Sequence, residues 1–231
     1  MPSDRTDDAY REASAHAPGG TAVYVVDFEG SLKTGVVEFG VVCLEQGSMI
    51  STETGMCRPE RTQDPRDVLL HGLRDEMLRK QPAFEAYREQ FHDYRRRGVL
   101  AAHHAVVENG FLAKYWHTVP AGGADGHAYP SLGSWGPWID SRLVCQRCYR
   151  GLPNYGLMSL IRQFSLQAPL DDLAATHCPP DRRKPHCALY DALASALLLL
   201  RVQQHAGLGL RDWVRLSQSG GEPDCAQQEW F

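Results

Sequence analysis

No stretch of this chain is apolar for long enough to cross a bilayer. The longest candidate, Ala192–Leu200, is about half of the roughly 20 residues that a spanning helix needs. Met1 to Gly20 is polar and lacks the apolar core of a secretory signal, so a cytoplasmic chain with no membrane partner is expected. Positive charge is also in short supply. Lys and Arg number 24 against 28 Asp and Glu, a formal net charge of −4, which excludes the broad basic surface that grips long duplexes non-specifically. Short or single-stranded ends stay open as partners. A second Cys-x-x-Cys pair is missing as well: the seven cysteines are an odd number, scattered in a way that suits reduced thiols and not a disulfide framework. Cys145 and Cys148 alone have metal-like spacing. Completion of a zinc site by His177, Cys178 or Cys187 is one reading; two thiols three apart on one helix beginning after Asp140 is the simpler one. No internal repeat is evident.

What is present is a 231-residue chain, long enough for one good-sized α/β domain. Its organising stretch is Val23 to Gly30, a run of β-branched and aromatic residues that reads as a buried strand. Asp27 and Glu29 lie two apart on it and so point to one face. Crowded carboxylates repel one another, and a sequence tolerates them where a cation sits between, which points to a divalent metal site at a strand end.

Val36 to Val42 reads as a second strand and Met49 to about Met56 as a third, the short connections making the three an antiparallel set. Glu38 interrupts the apolar run of the second strand. A solvent-facing position is the simpler reading and a further active-site carboxylate the other. A short helix is expected over Asp67 to Leu73 and a long one over Pro82 to Arg97, followed by a buried strand at Val99 to Ala102 and a helix opening in His103 to Leu112. Ala121 to Gly136 reads as a loop, Trp138 to Asp140 as a last strand, and Ser141 to about Tyr149 and Gly156 to Phe164 as helices. Ala168 to Pro185 reads as irregular and polar. Ala188 to Gln203 is a strong helix, and Leu208 to Leu216 a small amphipathic one. Trp135, Trp138 and Tyr155 could stack on a terminal base, with packing the simpler reading, and Asp140 could support the site from behind, with a helix cap the simpler reading.

His186 and Asp191 are five residues apart, which on an ideal helix separates them by roughly 140°. Pro185 suits a helix beginning and leaves His186 outside the helix, free to lean back over Asp191. Asp27-Phe28-Glu29, the His103 to Leu112 segment and the His186-x4-Asp191 pair together resemble the three motifs of the DEDDh 3′-5′ exonucleases, the group of the proofreading epsilon subunit of bacterial DNA polymerase III. Smaller agreements are Val37 to Gly40, His71-Gly72-Leu73, Asp140-Ser141 and Leu157 to Leu160. The resemblance covers roughly residues 22 to 203.

It implies a ribonuclease H-like α/β fold, a mixed five-stranded sheet of three antiparallel strands and then two parallel ones flanked by helices. Residues 1–20 would be a loose leader, 21–205 the exonuclease domain, and 206–231 a C-terminal helix and tail. Asp27, Glu29, Glu108 and Asp191 would hold two divalent ions, Mg²⁺ or Mn²⁺, since hard oxygen ligands select these. His186 would be the general base, imidazole being the side chain that takes up a proton near neutral pH. Gly30, His71, His103, Arg183 and Lys184 would contact the strand. The expected substrate is the 3′ end of single-stranded or frayed DNA, with RNA the alternative.

The family's His-Asn-x-x-Phe-Asp is His103-His104-Ala105-Val106-Val107-Glu108 here. Glutamate thus stands in the aspartate position, moving the oxygens by about one bond, ~1.5 Å, in a type of site where small misplacements cost on the order of a hundredfold. A catalytically weakened nucleic-acid-binding or polymerase-associated module is therefore the second expectation. The end of the chain, Gln227 to Phe231, is similar in outline to peptides that bind bacterial sliding clamps, which adds a clamp or polymerase as an expected partner.

Overall fold

β-branched and aromatic residues dominate Ala22–Ser31, and that stretch forms the central strand, β1, of a computed structural model that describes residues 22–116 and 135–218. β2 (Gly35–Glu45) and β3 (Ser48–Met56) follow as hairpins. Pro65–His71 is α1, capped by the Asp64 side chain on the Arg66 amide, with Pro65 opening the helix. Asp75–Leu78 forms α2, a 3-10 turn covers Phe84–Tyr87, and α3 runs Arg88–Arg97. β4 (Gly98–Ala102), α4 (Val106–Tyr115), β5 (Trp138–Asp140) and α5 (Ser141–Cys148) come next. The chain continues through α6 (Leu157–Gln163), α7 (Gln167–His177), a 3-10 turn at Pro180–Arg182, α8 (Ala188–Ala206) and α9 (Leu210–Ser217).

The sheet order is β3-β2-β1-β4-β5, with β1 antiparallel to β2, β2 antiparallel to β3, and β4 and β5 parallel to β1. This is the expected mixed sheet. Helices cover both faces because β1 is buried on both: Val23 and Val25 point toward α8 and its neighbours, while Tyr24, Val26 and Phe28 enter an aromatic cluster with Phe84, Phe91 and Phe111. Asp27 and Glu29 continue the Val23 and Val25 row, so they emerge on the α8 side. Among the described residues no helix is long and apolar enough to cross a membrane.

Two expectations change. Ala168 to Pro185, read as irregular, is mostly the helix α7; Pro169 lies in its first turn, where the missing amide proton has no intrahelical acceptor to lose. The helix expected from Pro82 starts as a 3-10 turn and becomes α-helical only at Arg88. The leader 1–20, most of the 121–136 loop and the Gln227–Phe231 tail lie outside the described residues.

Candidate active site

A close approach of helix to sheet builds the site. Gly40 on β2 stands opposite Asp27 on β1, and a Cβ at Gly40 would lie 2.3 Å from the Leu189 amide nitrogen and 2.4 Å from Ala188 carbon. Only glycine lets the first turn of α8 rest on the sheet there, and that turn carries Asp191. Past Glu29 the β1–β2 register shifts, and Gly30 adopts φ +125°, a backbone that side-chain-bearing residues rarely take. The bulge directs Glu29 toward α8.

His186 precedes α8 with φ +61°, left-handed backbone for a non-glycine residue, and its amide donates to Asp191 Oδ2 at 3.0 Å. This is the leaning back that the spacing suggested. Glu29, Asp191 and the exposed His186 each offer a ligand atom, and these atoms lie within 4.8 Å of one another, the one such His/Cys/Asp/Glu group among the described residues. Asp27 and Glu108 are not in that tight set, though both act on it electrostatically.

Every one of the four carboxyls is harder to ionise than usual. Burial, followed by repulsion from Asp191, Glu29 and Glu108, holds Asp27 well above the ordinary range. Burial and then Asp191 and Glu38 push Glu29 up to about 8, with Arg182 pulling the other way. Burial chiefly, with Asp140 adding to it, puts Glu108 at about 8. Asp191 rises to about 7 by burial, against the opposing His186 amide. Glu108 Oε2 and Asp191 Oδ1 are buried with no hydrogen-bond partner. Crowded carboxyls that resist ionisation, two of them with an orphaned oxygen, are the donor set that a hard divalent cation satisfies, so these residues fit Mg²⁺ or Mn²⁺.

Glu38 is not solvent-facing. It is buried 3% exposed, its carboxylate accepts Arg182 Nε at 3.0 Å, Arg182 Nη2 and the Ala188 amide at 2.9 Å. A lone acid in an apolar run was the available signal; its partner Arg182, 144 residues away, was too distant in sequence to see. Of the expected strand contacts, His103 has both ring nitrogens engaged within the protein, one with Ser141 Oγ at 2.9 Å and the other with the Tyr155 carbonyl at 3.0 Å. Burial lowers its pKa to about 4. His104 is the exposed member of that pair. His71 is buried, its Nδ1 accepting the Leu73 amide at 3.0 Å, with Nε2 unpartnered. Arg183 binds the Cys178 and Ala175 carbonyls at the end of α7, while Lys184 is exposed.

Asp140 caps α5 through the Arg142 and Leu143 amides and also accepts the Ala105 amide at 2.9 Å, fixing the segment that leads to Glu108. Trp135 is buried, and both its amide and the Trp138 indole bind Asn109 Oδ1. Tyr155 donates to the Tyr149 carbonyl. Cys145 and Cys148 lie three apart on α5, and burial pushes the Cys145 thiol up, the reverse of what a thiolate ligand needs.

The family model RNase_T, described as Exonuclease, matches residues 31–199. Its match starts just beyond Asp27 and Glu29. The PolC-type DNA polymerase III of Halalkalibacterium halodurans is 29% identical over 209 residues, 86% of this chain but 12% of that protein. The DNA polymerase III subunit epsilon of Escherichia coli K12 is 36% identical over 55 residues, 24% of this chain and 23% of its own length. The chain thus spans less than a quarter of these curated relatives. Among solved structures, Exonuclease X in complex with 5′ overhanging duplex DNA superposes with a TM-score of 0.63 at 21% identity, covering 85% of this chain and 99% of that one. The nuclease domain of a DEDDh-family 3′-exonuclease bound to rAMP gives 0.55 at 16% identity, covering 80% and 92%.

Proposed function

Given that the chain belongs to the RNase_T exonuclease family, we propose that it is a divalent-metal-dependent 3′-5′ exonuclease that removes nucleoside 5′-monophosphates from single-stranded or frayed DNA ends. The observation that carries this reading is the meeting of Glu29, Asp191 and His186 within 4.8 Å beside buried, unpartnered oxygens of Glu108 and Asp191. Asp27, Glu29, Glu108 and Asp191 would hold the ions. Bound there, divalent cations would polarise the scissile phosphate and make water a stronger nucleophile at neutral pH.

The chain's own residues do the rest. His186, exposed at the mouth of the site and held by its amide on Asp191, takes the proton of the attacking water on a ring nitrogen. The carboxylates fix where the terminal phosphate sits, and one strand threaded past them is the preferred substrate. DNA is preferred because curated relatives carry DNA polymerase names; RNA is the alternative, since a solved neighbour is bound to rAMP.

The test is a 5′-labelled single strand, as DNA and as RNA, incubated with Mg²⁺ or Mn²⁺. The expected result is a ladder shortening from the 3′ end, lost in Asp27→Ala. A second reading has a specific observation behind it: Glu108 stands outside the tight ligand group. Under it the chain is a weakened binding module, wild type leaves the strand intact, and cleavage emerges only in Glu108→Asp. A polymerase or clamp partner through Gln227–Phe231 is also proposed; deleting those five residues would then abolish capture of a sliding clamp.

A further inference from the structure

Glu38 and Arg182 form a buried ion pair, their side chains 4% and 6% exposed, at the junction of four segments. Glu38 comes from β2 and Arg182 from the 3-10 turn before α8. The arginine donates through Nε and Nη2 to the two oxygens of Glu38 and through Nη1 to the His71 carbonyl at the end of α1. The remaining capacity of Glu38 Oε2 takes the Ala188 amide, the first residue of α8. Between Arg182 and Ala188 lies a five-residue span containing His186, and both ends of that span are therefore fastened to one carboxylate on the rigid sheet.

Stability alone does not explain the arrangement. A buried ion pair forfeits hydration of both charges, and apolar residues of the same volume are usually as stabilising or more so. Apolar residues cannot, however, hold a backbone carbonyl on one side and a backbone amide on the other. Bidentate guanidinium–carboxylate geometry fixes angle as well as distance, and a histidine in left-handed backbone needs its flanks fixed to stay there.

We infer that the Glu38–Arg182 pair is the positioning strut of this site: it pins both ends of the span that presents His186 and sets the first turn of α8 that carries Asp191. The inference rests on the nuclease reading for its kinetic consequence only. Neither residue touches substrate; both act through His186 and Asp191, and through the α1 end next to them.

The experiment compares wild type with Glu38→Gln and with the double variant Glu38→Leu/Arg182→Met, which fills the space without polar grip. Each is followed by melting temperature, by kcat and KM on a short single strand in Mn²⁺, and by the His186 imidazole ¹H–¹³C signal in metal-free protein. The double variant is expected to melt within about 5 °C of wild type. Its kcat should fall roughly 30- to 100-fold with KM changed less than about threefold, and its His186 signal should move. A double variant with wild-type kcat and an unmoved His186 signal overturns the strut. Should wild type itself cleave nothing, the nuclease reading fails, and the His186 signal alone decides: displaced in both variants supports the strut, unchanged overturns it.

Discussion

Glu108 shows at a single residue what the site asks of its side chains. Its Oε2 is buried with no partner, and burial together with Asp140 places its carboxyl at about 8, so ionising it without a cation is unfavourable. Replacing the charge while keeping the shape should therefore separate stability from activity. Glu108→Gln is expected to melt about 2–4 °C higher than wild type at pH 8 without metal, yet to lose on the order of a hundredfold in kcat. Scanning calorimetry and the strand assay check the two halves; a lower melting temperature would mean that the carboxylate is satisfied in a way its surroundings do not reveal. The same residue marks where a motif stops being informative. Sequence alone exposed the glutamate in an aspartate position, but the distance from Glu108 to Glu29 and Asp191 depends on how α4 is seated by the Asp140 cap.

At the level of elements, the site depends on α8 lying directly on β2. Gly40→Ala would drive a methyl group into the Ala188–Leu189 backbone, which unlike a side-chain end cannot swing away. A loss of about 1–3 kcal/mol is expected, with weaker Mn²⁺ binding because Asp191 moves with the helix. Chemical denaturation and a Mn²⁺ titration read both, and an unchanged affinity would uncouple the helix contact from the metal site. Elements with strong local patterning were legible in advance: the β-branched run of β1, the Ala/Leu helix α8, and the His186–Asp191 spacing just after Pro185. Elements whose signals conflict were not. Pro169 and the Asp171-Asp172 pair disguised α7, because a first-turn proline and a breaking proline look alike until the helix start is known. Glu38 was misjudged for a different reason, since burial of an acid is decided by a partner 144 residues away.

Over the whole molecule, the titrating groups compete in sign. The carboxyls of Glu29 and Glu108 near 8 and Asp191 near 7 exceed their unfolded values, so the folded state binds more protons and stability falls as pH rises from about 4 to about 8. His71, His92 and His103 are lowered by burial and act oppositely, chiefly around and below their ordinary 6.5. Above about pH 7.5 the histidines have little left to contribute and the falling trend of the acids remains. The metal-free protein should lose thermal stability from about pH 7.5 to about 8.5, and Mn²⁺ should restore it; a flat or rising profile there would contradict the shifted carboxyls. The strands and helices themselves followed from the chain's alternation of patterns and the mixed five-stranded sheet from the family resemblance, whereas the meeting of Glu29, His186 and Asp191 is a property of the assembled sheet.

The most direct measurement is a calorimetric titration with Mn²⁺ at pH 7 in buffers of different ionisation enthalpy. Partly protonated Glu29, Glu108 and Asp191 must give up protons as a cation binds, so the account predicts two bound ions with release of on the order of one to two protons per chain, lost in Asp27→Asn/Asp191→Asn. Binding without proton release, or binding that survives those substitutions, would contradict it.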